Sequence, residues 1–191
     1  MTQKTNDIEE IFVKSGAIRK GHFLLSSGLH SPVYWEKFQV LQFPAYTEKL
    51  CRLITSRYRS ERVEVVTGPT TGGVILAYEA ARQLGVRGIF AEKTTAGDRA
   101  FRRGFSISMG ERVLIVDDIM TTGGSILETV AAVKKLGGNI VGIGILVDRS
   151  EKKIDFGLPF FACHRADEIT YKSQICPLCA GGIPLVKPGG S

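Results

Sequence analysis

The segment VLIVDDIMTTGGS, Val113 to Ser125, passes from four aliphatic residues to two carboxylates and then to hydroxyls and glycines. Val113 to Val116 is too continuously apolar to face water on one side, so it reads as a strand buried on both faces. A helix over Ser125 to Leu136, closed by Gly137 and Gly138, follows at once, and Ile140 to Val147 is a second buried strand. Upstream, Val63 to Thr67 and Ile89 to Ala91 read as strands. Between them lie a tight turn, Gly68 to Gly73, and a helix over Val74 to Leu84 stopped by Gly85. Alternating strands and helices of this kind predict an α/β fold with a parallel sheet covered on both faces. Ligands of such sheets bind beyond the carboxyl ends of the strands. Those ends are the residues just after Thr67, Ala91, Val116 and Val147.

At the third of these ends stand Asp117 and Asp118. The turn behind them is built from residues that let backbone amides approach an anion, and the start of the next helix adds the positive end of its dipole. Thr121, Thr122 and Ser125 offer hydroxyl donors to the same group. The two carboxylates would repel a phosphate, so they suit the ribose hydroxyls or a magnesium ion beside it. The combination fits a ligand with a sugar and a terminal phosphate at one end. Neither GxGxxG nor GxxxxGK[ST] occurs, which removes support from dinucleotide and P-loop chemistry.

Outside this core, Pro44 to Tyr58 predicts a helix with Tyr46, Leu50, Leu53 and Ile54 on one face. Phe23 to Leu25 and Val33 to Phe38 read as short strands around a turn at Ser26 to Ser31. A first helix is expected over Asp7 to Ser15, capped by Asn6, with Glu9 at the reciprocal capping position and Gly16 ending it. The balance of 25 Lys+Arg against 19 Asp+Glu leaves +6, and an anionic partner follows from that sign. The densest cations, Lys93, Arg99, Arg102 and Arg103, lie in one polar segment, Glu92 to Gly104. That is a local anion grip and not a nucleic-acid track. The ordinary 43% hydrophobic and 23% charged fractions exclude collagen, coiled coil and bulk disorder. No apolar run approaches the roughly 20 residues of a membrane span, and the first ten residues hold no signal-peptide core. The expected location is the cytoplasm.

VLIVDDIMTTGGS resembles the phosphoribosyl-pyrophosphate (PRPP) motif of type I phosphoribosyltransferases. Within that family the flanking segments resemble the orotate phosphoribosyltransferases, in their thermophile-type branch. FLLSSGLHSPVYW (Phe23 to Trp35) is similar to the N-terminal base-binding segment, VVTGPTTGG (Val65 to Gly73) to the pyrophosphate loop, FAEK (Phe90 to Lys93) to the start of the mobile loop, and LVDR (Leu146 to Arg149) to the orotate-side strand end. The resemblance implies the type I fold as one domain over residues 1–191. Its parts would be a parallel-sheet core over about 44–150 and a small hood from about 1–40 and 160–191.

The implied reaction joins orotate to PRPP, with Mg²⁺ held mainly by PRPP near Asp117 or Asp118, giving orotidine 5′-monophosphate and pyrophosphate in pyrimidine synthesis. Asp117 and Asp118 would hold the ribose hydroxyls, and the turn Ile119, Met120, Thr121, Thr122, Gly123, Gly124 and Ser125 the 5′-phosphate. Thr70, Thr71 and Gly72 would meet the pyrophosphate, and Lys93 with Arg99, Arg102 or Arg103 would close over it from the neighbouring subunit of a homodimer. Arg149 and Thr121 would bind orotate, and Tyr34 or Trp35 would supply an aromatic wall. Alternatives are a transferase for a purine or another base, and a PRPP-sensing regulator without catalysis. Two lysines common in the orotate enzymes are absent, at Ser26 and Gly72, and Arg102-Arg103 stand ready to compensate.

Four cysteines in a cytosolic chain are too few for a disulfide scaffold. Cys176-Pro-Leu-Cys179 has zinc-knuckle spacing, and Cys163 with His164 could complete four ligands. His22 and His30 are assigned no role.

Overall fold

A computed structural model describes residues 2–25, 27–36, 38–166 and 169–188. Its contacts separate two compact units, Met1–Val40 with Ala166–Ser191, and Leu41–Arg165. No helix among the described residues is long and apolar enough to cross a membrane.

The larger unit is built on a six-stranded sheet. Its strands are β3 (Val65–Pro69), β4 (Arg87–Lys93), β5 (Arg99–Ala100), β6 (Arg112–Met120), β7 (Asn139–Asp148) and β8 (Phe160–Arg165), and their spatial order is β5-β4-β3-β6-β7-β8. All neighbours pair parallel except the short edge strand β5, which returns antiparallel on β4. α4 (Gly72–Leu84) and α5 (Gly124–Lys135) fill the crossovers from β3 to β4 and from β6 to β7, and α3 (Pro44–Tyr58) precedes β3 and packs on the sheet. α3 has the bounds expected from sequence. β8 lies in the stretch expected to form the hood, but it pairs parallel with β7 and so extends the sheet.

Side-chain alternation sorts the two faces of the sheet. Ile143 and Ile145 of β7 join Val65, Ile115, Ile126 and Val133 in the cluster under α5. Gly142 and Gly144 point the other way, where added Cβ atoms would run into Tyr58 and Ile54 of α3. Two glycines thus let α3 lie close to the sheet. The fully buried Tyr58 hydroxyl donates to the Ile143 carbonyl at 2.8 Å, and burial pushes its pKa up to about 12. Its hydrogen bond meets the requirement that a buried polar group be partnered.

The smaller unit contains α1 (Thr2–Lys14) and an antiparallel hairpin, β1 (Ile18–Leu24) with β2 (His30–Trp35). α1 starts at Thr2, so Asn6 lies within the helix and does not cap it. Ser26, expected in the hairpin turn, is outside the described residues. Short helices α2 (Phe38–Leu41) and α6 (Pro177–Ala180) complete the elements.

Candidate active site

β6 carries its two acids while sheet pairing is still in force, with Asp117 opposite Ile145 and Met120 opposite Asp148. Both carboxylates are buried, at 5% and 2% exposure. Buried carboxylates are tolerable only when hydrogen-bonded. Asp117 accepts from the Asp118 amide at 2.9 Å and from the Ser125 hydroxyl at 2.9 Å, and Asp118 accepts from the Ile119 amide at 2.6 Å. Alternation sends Asp117 to the α5 face and Asp118 to the α4 face, where it lies against Gly72.

The following turn is shaped by Gly123, whose φ of 76° suits a residue without a Cβ. A Cβ there would press on Ile154 at 3.1 Å and Phe156 at 3.2 Å. Gly124 opens α5, and the Gly123 carbonyl accepts from Leu127 at 2.9 Å. The amides of the first turn therefore point out of the helix start, as an anion requires. Thr121 and Thr122 are exposed. The Ser125 hydroxyl, expected to meet a phosphate, is instead committed to Asp117. Ile119 is half-buried, and the Met120 side chain is in the core. The Met120 carbonyl accepts from the Arg149 amide at 2.8 Å, which ties the β6 and β7 ends together.

Thr70 and Thr71 form the β3–α4 turn, joined by a cis peptide bond, and the Thr70 amide donates to the Ala91 carbonyl at 3.1 Å. Gly72 begins α4, and an added Cβ would overlap the Asp118 carboxylate. The lysine missing at this position therefore has a physical counterpart: the space is taken by an acid of the other turn.

The cations at the β4 end divide into two kinds. Arg99 is a pin: its guanidinium donates to the Thr70 hydroxyl at 3.3 Å and the Ala91 carbonyl at 3.2 Å, and lies 3.2 Å from Glu128 of α5. It is therefore held as structure and is not poised to close over a ligand, contrary to the expectation from its place in the basic run. Lys93, opposite Arg99 in the β4–β5 pair, is exposed, as are Arg102 and Arg103. Arg103 is paired with Glu92 at 2.8 Å, and that hydrogen bond and charge raise its already high pKa.

At the β7 end, Asp148 accepts from the Ser150 amide and hydroxyl and from Arg165 at 2.6 Å, while Arg149 is half-buried. Beside it opens a pocket of about 480 Å³, lined by Met120, Asp148, Phe156, Phe160 and Arg165 among others. In the smaller unit, Trp35 is buried and meets the Phe12 ring edge-on at 5.3 Å. Tyr34 is half-buried, its ring 5.7 Å from Phe23.

The expected cysteine set is divided between the two units. Cys163 belongs to β8, where it is buried and donates to the Leu50 carbonyl at 3.5 Å, and burial pushes its thiol up to about 12. His164 follows it on the same strand. Cys176 and Cys179 are grouped instead with His22 and His30.

Residues 38–157 match the family model described as a phosphoribosyl transferase domain. The orotate phosphoribosyltransferase of Caldanaerobacter subterraneus subsp. tengcongensis is 52% identical over 94% of each chain. That of Pelotomaculum thermopropionicum is 50% identical over 96% of each. The crystal structure of orotate phosphoribosyltransferase from Aeropyrum pernix superposes with a TM-score of 0.71 at 24% identity, covering 83% of this chain and 93% of that one. An adenine phosphoribosyltransferase structure reaches 0.63 at 18%, covering 82% of this chain and 98% of that one. At such identities the two structures speak to the shared fold alone.

Proposed function

This chain belongs to the orotate phosphoribosyltransferase family, and on that premise we propose that it transfers the 5-phosphoribosyl group of PRPP to orotate. The observation that carries the reading is the buried Asp117–Asp118 pair feeding a glycine turn at a helix start. In the reaction the C1–oxygen bond to pyrophosphate breaks as a bond forms from C1 to the orotate ring nitrogen, which gives up its proton. Positive charge grows on the sugar and negative charge on the leaving group, so preorganised electrostatics at both ends carry the catalysis.

Asp117 and Asp118 hold the ribose hydroxyls, with Asp117 oriented by Ser125. Thr121, Thr122 and the amides of Gly124 and Ser125 bind the 5′-phosphate. The backbone of Thr70, Thr71 and Gly72 meets the pyrophosphate, and Lys93, Arg102 and Arg103 neutralise it, Arg103 first leaving Glu92. Arg149 offers a two-pronged donor to the orotate carboxylate, aided by Thr121. Trp35 is spent on packing against Phe12, which leaves Tyr34 as the ring proposed for the base. Asp117 and Asp118 offer oxygen ligands, as Mg²⁺ prefers, and the ion when bound would supply charge neutralisation of the diphosphate. The Lys93 loop acts on the partner's site in a homodimer working in the cytoplasm.

The test is a panel of bases with PRPP and Mg²⁺. Orotate should be consumed, with adenine, guanine, hypoxanthine, xanthine and uracil at least about 100-fold slower in kcat/KM. Turnover of a purine in preference would assign another acceptor. PRPP binding without pyrophosphate release would assign a sensor.

A further inference from the structure

His22, His30, Cys176 and Cys179 present four ligand atoms that all lie within 4.8 Å of one another. His22, His30 and Cys176 are buried, at 2%, 5% and 4% exposure, and Cys179 keeps an exposed face. The His22 Nε2 lies 2.8 Å from His30 Nδ1, 3.6 Å from Cys176 Sγ and 3.8 Å from Cys179 Sγ, and Cys179 Sγ lies 3.3 Å from His30 Nδ1. Around a tetrahedral zinc, with Zn–S near 2.3 Å and Zn–N near 2.0–2.1 Å, ligand atoms sit roughly 3.3–3.8 Å apart. The three sulfur–nitrogen distances fall in that range, and the two imidazoles need only open by about half an ångström.

The surroundings orient the donors. The Nδ1 of His22 lies 2.7 Å from the Ile183 carbonyl. A carbonyl only accepts, so that nitrogen carries the proton and Nε2 presents its lone pair to the cluster. The backbone holds the histidines in register with the tail that carries the cysteines. His30 and Tyr171 exchange two hydrogen bonds of 2.8 Å, the Val186 amide donates to the His22 carbonyl at 2.8 Å, and the Leu24 amide donates to the Val186 carbonyl at 2.9 Å. Cys176 immediately precedes α6, and Cys179 lies within it. Residual desolvation, then the hydrogen bond and charge of Cys176, raise the Cys179 thiol; a divalent cation between them reverses that effect.

We propose that His22, His30, Cys176 and Cys179 form a structural zinc site that clips the C-terminal tail to the β1–β2 hairpin. Two thiolates and two imidazoles in a closed set of four select zinc over magnesium, whose preference is for oxygen. Binding releases the two thiol protons to solvent. Closed coordination leaves no position for substrate, so the role is architectural. It is separate from the Mg²⁺ that accompanies PRPP.

The test uses the full, tag-free chain purified without chelator from zinc-supplemented cells. Elemental analysis should find close to one zinc per chain, falling at least about fivefold in the Cys176→Ser/Cys179→Ser double variant and unchanged in Cys163→Ser. Cobalt exchanged into the wild-type chain should show tetrahedral d–d bands and thiolate-to-metal charge transfer, a readout that survives any failure of the double variant to fold. Stripping the metal should lower Tm by about 5 °C or more, restored by zinc and not by magnesium. Wild-type protein with zinc at background, or cobalt without a thiolate band, would overturn the site. Loss of zinc in Cys163→Ser with retention in the double variant would transfer it to other ligands.

Discussion

The β6–α5 turn and the β4–β5 loop both serve the same proposed ligand, yet they are built in opposite ways. In the first, the charged groups are buried and fixed by short hydrogen bonds from their own backbone and from Ser125. In the second, Lys93, Arg102 and Arg103 stand at the surface, and only Arg99 is held inside. The difference fits what each is proposed to bind. Ribose hydroxyls stay neutral throughout the reaction, so their acceptors can be preset. The leaving pyrophosphate gains charge only as the bond breaks, so its cations gain most by arriving then.

Asp118→Asn should break the preset side most severely, lowering kcat/KM for PRPP by about 10²–10³-fold in the orotate absorbance assay. A loss under threefold would remove the acid from the site. Lys93→Ala should lower kcat by about 10²-fold while changing the PRPP KM little, because its contact forms mainly in the transition state. A matching rise in KM with kcat intact would make it a ground-state contact. Gly72→Ala tests the packing between the two phosphate-side turns: displacement of Asp118 should cost about tenfold in activity and about 1–3 kcal/mol in denaturant unfolding. Arg149→Ala should raise the orotate KM by about tenfold and leave that for PRPP within twofold. The smallest effect is expected of Glu92→Gln. Its ion pair with the exposed Arg103 is screened by solvent, so Tm should barely move, and release of Arg103 should leave the PRPP KM unchanged or slightly lower.

Much of this was legible in local pattern. The helix over Pro44 to Tyr58, the strands around Val66, Ile89, Ile115 and Ile143, and the acid pair at a strand end all follow from periodicity and from turn chemistry. β8 was not, because FFACHR lacks the aliphatic continuity of the central strands, and only its pairing with β7 identifies it. Arg99 reads as one cation of a basic run; its burial against Thr70 and Glu128 is a matter of where β5 returns. The CxxC spacing predicts a metal-binding pair, but nothing local in the sequence groups it with His22 and His30 in preference to the adjacent Cys163-His164. His22 and His30 carry no local sign of a partner 154 residues away from His22 in the chain.

The order of the residues alone determined the alternation of strand and helix and the placing of carboxylates before an amide-rich turn. Both are short-range consequences of side-chain size, polarity and backbone freedom. Tertiary structure alone decided which acid Gly72 touches, which arginine is buried, and which two histidines meet the cysteines. Those meetings join residues far apart in the chain, and only the packing of whole elements sets the distances between them.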